Sequence, residues 1–352
     1  MTPVELSRTV LHAVRRAVDG GELRVSVPER VLVTEPGPGG CGDFATNVAL
    51  QLARPAGQPP RRVAEILRPH LVEAEGIQDV VVTGPGFLNI SLGENERGDL
   101  AAAVVREIRE RGAGYGHSDA LAGQVVVLRV PYEVRAEVVA DAVARIVATQ
   151  GGRVEIEHGE PVNLRPVPAP EDPAPLGADA AQWALLHPAS HDRPRITADH
   201  LVQRESNPLF RVRYAHARTR ALTRNAARLG FAAEPGALGL DQDLSDVARS
   251  GGEHVGLPHL SPGAPHATPL LTPLTDHPRI LTAAATHRAP DRLARHLVTV
   301  ADAVLPLLPF VLPCGEEKPS AAHRARLALA EAAGTVLAGG LSLLGIDAPE
   351  HL

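Results

Sequence analysis

Gly42-Asp-Phe-Ala-Thr-Asn-Val-Ala-Leu-Gln-Leu-Ala-Arg-Pro-Ala-Gly57 is the stretch on which the reading of the fold turns. The turn-rich Glu35-Pro-Gly-Pro-Gly-Gly40 leads into it. From Asp43 to Ala53 the apolar residues Phe44, Val48 and Leu52 share one helical stripe, and Asp43 stands where an N-cap belongs. Upstream, residues 1–18 read as an amphipathic helix, and Val25, Val27, Val31 and Val33 suggest short strands. Downstream, Arg61 to Ala74 reads as a helix. Val80–Val82 and Phe87–Leu92 are strand-like around Thr83-Gly-Pro-Gly86, and Asp99–Arg111 closes the region as a helix. This is a small α+β domain, assigned to residues 1–115.

Further along, Val125–Val130 is an apolar, β-branched run typical of a buried strand. Arg135–Thr149 is helical and Arg153–Glu157 alternates like a second strand, which makes one βαβ unit. Pro161–Pro175 carries six prolines and reads as an extended linker. Gly177–Leu186 is a short helix and Thr197–Gln203 starts another; residues 120–205 form this middle part. From residue 206 onward the pattern is all-α. Asn207–Gly230 is a long helix, and Phe231–Pro273 is rich in Gly, Pro and His with at most a short helix near Ser245. Helices follow at about 278–288, 291–312 and 321–344, with Asp291 and Ser320 as N-caps and Gly345 as the stop. The fold class is therefore multidomain: a small α+β N-terminal domain, a vestigial Rossmann-like βαβ middle and a helical bundle over residues 206–352.

Composition narrows the function classes. A hydrophobic content of 44% is enough for real cores, and the sequence offers no apolar run long enough to span a membrane. The N-terminus mixes charges into its apolar pattern and does not read as a signal peptide. Two cysteines, Cys41 and Cys314, give no disulfide framework and no zinc spacing, so no metal is expected and the expected location is cytoplasmic. Lys318 is the one lysine, so no lysine elsewhere can serve as a Schiff base or phosphate clamp. A net charge of −6 argues against a generic nucleic-acid binder. Yet Arg204–Arg228 holds seven arginines and one acid, a local excess of +6 on what reads as one helix.

The 42–57 string, together with Gly84-Pro-Gly-Phe-Leu-Asn-Ile90, resembles the N-terminal tRNA-binding domain of arginyl-tRNA synthetases. That resemblance implies a surface for the outer corner of tRNA, with Phe87 and Asn89 on the discriminating base and Asn47 beside them. The chemistry suits the task, because an aromatic face stacks a splayed base and an amide bonds its edge. The alternative is that Phe87 is core and Asn89 satisfies a turn.

Tyr214-Ala-His-Ala-Arg218, Arg326-Leu-Ala-Leu-Ala-Glu331 and Gly345-Ile-Asp-Ala-Pro-Glu350 resemble the anticodon-binding helical domain of the same family. The resemblance implies that Tyr214 stacks a base and that Arg218 contacts backbone or base. Arg213, Arg220 and Arg224 fall near one helical stripe that could neutralise successive phosphates. The alternative is a solvated charged face. Pro306, Pro309 and Pro313 break the penultimate helix where the family has none, which puts anticodon reading in doubt.

The middle departs from the family. Arg135–Ile146 resembles the helix after the class I His-x-Gly-His signature, but the signature positions hold Val130, Pro131, Tyr132 and Glu133. Tyr132 should fill the adenine space and Glu133 should repel ATP. The second, Lys-Met-Ser-Lys signature is absent, since Met1 is the one methionine. Leu176–Leu186 resembles the stretch just after that signature. His254-Val-Gly-Leu257 lacks the right context for a signature, and His254, His259 and His266 read as surface loop. The expectation is a catalytically inactive paralogue that binds arginine tRNA or a tRNA-like RNA at two points, with no ATP and no catalytic residues. Its partners would be tRNA and a tRNA-modifying or transferring enzyme, with no membrane. Retained arginine–tRNA ligation, other arginine transfer with a partner, and a protein-interaction scaffold are the alternatives.

Overall fold

The structure, a computed structural model, describes residues 3–34, 36–37, 40–238 and 268–352. The chain divides into two compact units, Met1–Ala102 and Ala103–Leu352. The candidate signature at His254–Leu257, His259, His266 and the helix expected near Ser245 lie outside the described residues.

The first unit is a four-stranded antiparallel sheet covered by helices. In chain order it holds α1 (Pro3–Asp19), β1 (Val33–Thr34), β2 (Phe44–Thr46), α2 (Val48–Ala56), α3 (Pro60–Val72), β3 (Ile77–Thr83) and β4 (Phe87–Leu92). The sheet order is β1-β2-β4-β3. Leu6, Val10 and Val14 of α1 and Val63, Leu67 and Leu71 of α3 meet Val80, Leu88, Ile90 and Leu92 in one fully buried core.

The helix expected from Asp43 does not start there. Phe44, Ala45 and Thr46 pair with Ile90, Asn89 and Leu88 of β4, and the helix begins at Val48. The physical reason is tertiary. The Asp43 carboxylate accepts the Leu92 N–H at 2.6 Å, so it is not available as a helix cap. Gly42 makes this possible: it has φ 79°, and a Cβ there would sit 2.8 Å from the Ile90 carbonyl oxygen. Of the strands expected between Val25 and Val33, only the two-residue β1 forms.

The second unit contains β5 (Val125–Val130), α5 (Val134–Ala148) and β6 (Arg153–His158). The two strands pair in parallel, Val125 with Arg153 through Val130 with His158, as the βαβ reading expects. Then come α6 (Ala178–Leu186), α7 (Pro208–Arg228), α8 (Thr268–Thr286), α9 (Pro290–Val304) and α10 (Ala321–Leu343). α7 packs on α10, α8 on α9, and α9 on both α7 and α10, with α5 and α6 against the same bundle. The βαβ unit and the helical bundle, expected as separate parts, thus share one compact body.

α4 (Glu94–Arg111) begins five residues before its expected start. The helix expected from 278 begins at Thr268 and keeps Pro273 and Pro278 inside it. The helix expected over 291–312 ends at Val304 and continues as a 3₁₀ turn, Leu305–Phe310. Pro306 and Pro309 have no N–H to donate to the α-helical ladder, so the turn tightens there. Ala289, not Asp291, holds the N-cap position of α9, and Asp291 in the first turn pairs with Arg295 at 3.3 Å. The start expected at Thr197 is a 3₁₀ turn, Ala198–Leu201. Ser320 does cap α10, in a reciprocal box with His323, and Gly345 at φ 73° ends it.

One sequence expectation on hydropathy is corrected. Pro290–Phe310 is long and apolar enough to cross a membrane by length and composition, with mean hydropathy 1.4. Leu293, Leu297, Val300 and Val304 are fully buried against the other helices, which gives that apolar face a protein core to occupy.

Candidate nucleic-acid surfaces

In the first unit, Phe87 opens β4 directly after the turn Thr83-Gly-Pro-Gly86, opposite Thr83 in the register. Gly86 has φ 142°, and a Cβ there would sit 2.8 Å from the Pro60 backbone, so the turn needs glycine. Phe87 is 41% exposed and Val81, also exposed, lies beside it. Two residues on, on the same side of the strand, Asn89 is only 2% exposed. Its Oδ1 accepts the Cys41 N–H at 3.3 Å, and its Nδ2 donates to the Val81 carbonyl at 3.2 Å and the Thr83 hydroxyl at 2.7 Å. The amide therefore ties the 40–42 loop and β3 to β4, and Phe87 is the member of the pair that faces solvent. Asn47 is half-buried at the start of α2 and accepts from Gln51 Nε2 at 2.9 Å.

In the second unit, Asn207 caps α7, accepting from the Leu209 and Phe210 N–H groups. It also donates to the carbonyls of His200 and Val202, fixing where the helix starts. Tyr214 is 38% exposed and stacks on Phe210, with ring centroids 5.5 Å apart. One turn on, Arg218 is exposed and has no ion-pair partner among the described residues.

Four other arginines of the helix are ion-paired, while Arg228 at its end reaches only Asn225 Oδ1 at 3.5 Å. Arg211 meets Asp302 at 3.0 Å and Arg213 meets Asp179 at 3.3 Å. Arg220 meets Glu350 at 2.8 Å and Arg224 reaches the same carboxylate at 3.7 Å. The Arg220 hydrogen bond, then its charge and that of Arg224, holds the Glu350 carboxyl below the usual range. His216 faces the Pro349 carbonyl at 3.0 Å, and burial lowers its pKa. Three acids, Asp179 of α6, Asp302 of α9 and Glu350, thus offset half of the +6 excess legible in the sequence.

Val130, Pro131, Tyr132 and Glu133 lie at the junction of β5 and α5. Val130 is fully buried at the end of β5. Glu133 caps α5: its Oε2 accepts the Ala136 N–H at 2.9 Å and its Oε1 the Ala169 N–H at 3.4 Å. A helix N-terminus after a parallel strand is the ordinary seat of a nucleotide phosphate, and a carboxylate already occupies it here. Tyr132 does not turn inward to fill space, as expected from the sequence. It is 87% exposed, and its ring lies on His158 at 4.5 Å with an 11° interplanar angle.

Arg135 was missed as a structural residue. It is fully buried and donates to five backbone carbonyls: Val167, Asp192, Ala189, Leu185 and Pro188, at 2.7 to 3.0 Å. Burial lowers its pKa, an effect opposed by the charges of Glu133, Asp192 and Asp291. The signal was present: residues 135, 139, 142 and 146 share one apolar helical stripe, and an arginine on it must be satisfied from inside.

Fold and surfaces together define a multidomain protein with an α+β unit, a helical bundle and aromatic surfaces on both. Family models identify the two ends. Residues 5–92 match the arginyl tRNA synthetase N terminal domain and residues 212–352 the DALR anticodon binding domain. Residues 5–92 thus form a domain of the arginyl-tRNA synthetase N-terminal kind, and residues 212–352 an anticodon-binding domain of the DALR kind. Among curated relatives, the arginine–tRNA ligase of Renibacterium salmoninarum is 42% identical over 171 residues, covering 45% of this chain and 30% of the relative. That of Kineococcus radiotolerans is 35% identical over 242 residues, covering 60% of this chain and 43% of the relative. The chain therefore spans between about a third and under half the length of the curated relatives it matches. The arginyl-tRNA synthetase structure of Thermus thermophilus aligns over the whole chain at 14% identity with a TM-score of 0.58, a likeness of fold.

Proposed function

We propose that the chain is a tRNA-binding protein that recognises arginine tRNA, or an RNA of that shape, without ligating arginine to it. Its cellular place is the cytoplasm, where it presents tRNA to a modifying or transferring enzyme. The observation that carries the reading is on α7: Tyr214 and Arg218 stay solvent-facing one turn apart while their neighbours are ion-paired. A free aromatic face and a free guanidinium are the two groups that single-stranded RNA recognition uses. Phe87 offers a second aromatic face for a base of the tRNA corner, with Asn89 and Asn47 shaping the loop and helix around it.

Glu133 at the N-terminus of α5 supports the lack of ligation, because an ATP phosphate would have to displace its carboxylate. Retention of labelled tRNAs on a filter tests the binding half: arginine acceptors should be held in preference to others, and retention should fall as salt rises. Equal retention of all tRNAs with no salt dependence would sink it. ATP–pyrophosphate exchange with arginine tests the other half, and clear exchange would show a ligase.

A second reading, a protein-interaction scaffold without RNA binding, is favoured by the neutralisation of Arg211, Arg213, Arg220 and Arg224 within the fold. An unchanged cellular phenotype for the Tyr214→Ala, Arg218→Ala double variant would select it.

A further inference from the structure

The ion pairs of α7 sort its arginines by face. By the turn of an α-helix, Arg213, Arg220 and Arg224 share one side, where Asp179 and Glu350 hold them. Tyr214, Arg218, Ala221, Asn225 and Arg228 are spaced i, i+4, i+7, i+11 and i+14, and they fall within the next quadrant. That spacing ordinarily marks a core stripe. Here Val212, Leu222 and Ala226 bury the other side of the helix. Tyr214, Arg218, Asn225 and Arg228 are exposed and Ala221 is half-buried.

Both arginines of this quadrant are free of ion pairs among the described residues. Arg228 Nη1 touches Asn225 Oδ1 at 3.5 Å, a neutral partner at the limit of a hydrogen bond. That contact leaves its charge unneutralised. At 1.5 Å per residue, Arg228 stands about 15 Å along the helix from Arg218 and about 21 Å from Tyr214. A stacked strand advances about 3.4 Å per nucleotide, so the two guanidinium groups lie about four phosphates apart and Arg228 about six nucleotides from a base on Tyr214. Counted from the centre of a hairpin loop, that distance reaches the stem.

We infer, resting on the RNA-binding reading above, that α7 follows an RNA hairpin from its loop onto its stem. A loop base lies on Tyr214, a phosphate beside it meets Arg218, and a phosphate of the stem meets Arg228. The Asn225 amide stands between the two cations, placed for a 2′-hydroxyl. An acidic peptide fits this face less well. The face of an aromatic ring carries the negative end of its quadrupole and repels carboxylates, so Tyr214 would add nothing to such a partner.

The test uses the full chain and two labelled RNAs, an arginine anticodon stem-loop and its loop alone as a linear strand, each bound across a salt series. Arg228→Ala should weaken stem-loop binding several-fold at low salt and lower its salt slope by about 1, with the slope for the loop alone unchanged. Arg228→Lys should restore the slope, since a phosphate contact needs the charge and not the fork. Arg218→Ala should lower the slope for both RNAs. Arg292 is also exposed and free of ion pairs among the described residues, but it lies on α9, so Arg292→Ala should change neither slope.

Stem-loop binding that Tyr214→Ala weakens but whose salt slope Arg228→Ala leaves at the parent value overturns this inference and spares the RNA-binding reading. An equal fall of slope in Arg292→Ala also overturns it, because overall charge and not this face is then read. So does displacement of the stem-loop by a glutamate-rich peptide at equal concentration, which assigns the face to an acidic protein. A parent chain that holds neither RNA removes the RNA-binding reading and this inference together.

Discussion

Arg220 donates both its Nε and its Nη2 hydrogens to one carboxylate oxygen of Glu350, at 3.1 and 2.8 Å. Arg224 completes the clasp through Nη2 to the Glu350 backbone carbonyl at 3.3 Å and Nη1 toward the other carboxylate oxygen. The 346–352 segment thereby lies along the face of α7 that carries His216, Arg220 and Arg224, a different face from that of Tyr214 and Arg218, and its carboxylate holds the two guanidinium groups that a phosphate would otherwise meet.

Glu350→Gln should therefore raise RNA affinity. It frees two guanidinium groups without removing a contact that the fold needs, because the pair is at the surface. Each arginine released to meet a phosphate adds about 0.9 to the slope of log affinity against log salt. Filter binding across a salt series should show a steeper slope and tighter binding at low salt, with no change in melting temperature. A slope identical to that of the parent would mean that Arg220 and Arg224 never reach the RNA.

Tyr214→Ala and Arg218→Ala should separate two roles. A stacked base contributes about 1–3 kcal/mol, so loss of the Tyr214 ring should weaken binding about tenfold or more at every salt concentration. Arg218→Ala should weaken binding chiefly at low salt and lower the salt slope by about 1. Arg218 faces solvent, so the melting temperature of Arg218→Ala should hold within a degree or two, whereas Tyr214 is more than half covered and stacks on Phe210, so Tyr214→Ala should lower it by a few degrees. Titration of a labelled anticodon stem-loop reads both effects.

Much of this frame was legible in the chain itself. The apolar periods of α1, α3 and α5, the β5-α5-β6 unit and the cap at Ser320 all follow from local patterns, and the structure keeps them. What escaped was non-local. Asp43 has the look of a cap, but its partner is the N–H of Leu92, forty-nine residues away. Asn89 has the look of a recognition amide, but it is buried and Val81 and Thr83 take both of its donor hydrogens while its oxygen accepts from Cys41. The arginines of α7 read as free charge because Asp179, Asp302 and Glu350 are remote in sequence. Pro273 read as the end of a loop and Pro278 as the start of a helix, yet one helix, Thr268–Thr286, contains both.

Arg135 is the residue whose replacement should cost the most stability. Arg135→Met keeps the volume and the helix propensity but strands five buried carbonyls. Each unsatisfied acceptor costs on the order of 1 kcal/mol or more, and the loop over 165–192 loses its anchor, so a total loss of about 3–5 kcal/mol is expected. Arg135→Lys should rescue little of it, since an ammonium has three hydrogens and cannot span five acceptors. Urea unfolding followed by circular dichroism measures the difference, and a Lys variant as stable as the parent would contradict this account.

Acid should unfold the second unit through its buried histidines. Tyr115, His277 and His296 stack in succession, at 5.8 and 5.2 Å between centroids. Burial, with the neighbouring His296 and His117 adding to it, pushes His277 down to about 3. Burial pushes His296 down to about 4, a fall that the Asp276 charge opposes and the Arg279 charge favours. Burial, together with the charges of Arg295, His200 and Arg211, takes His187 to about 4. In the unfolded chain each of these groups titrates near 6.5. Between that value and about 3 to 4 the unfolded state therefore binds more protons than the folded one, and stability must fall as pH falls. Above pH 7 all three are neutral in both states and their contribution is flat. Melting temperature should be constant from pH 8 to 7 and decline steadily below 6.5. His277→Phe preserves a ring in the stack and removes one titrating group, so its decline should be shallower than the parent's. An equal slope in the two proteins would remove His277 from the explanation.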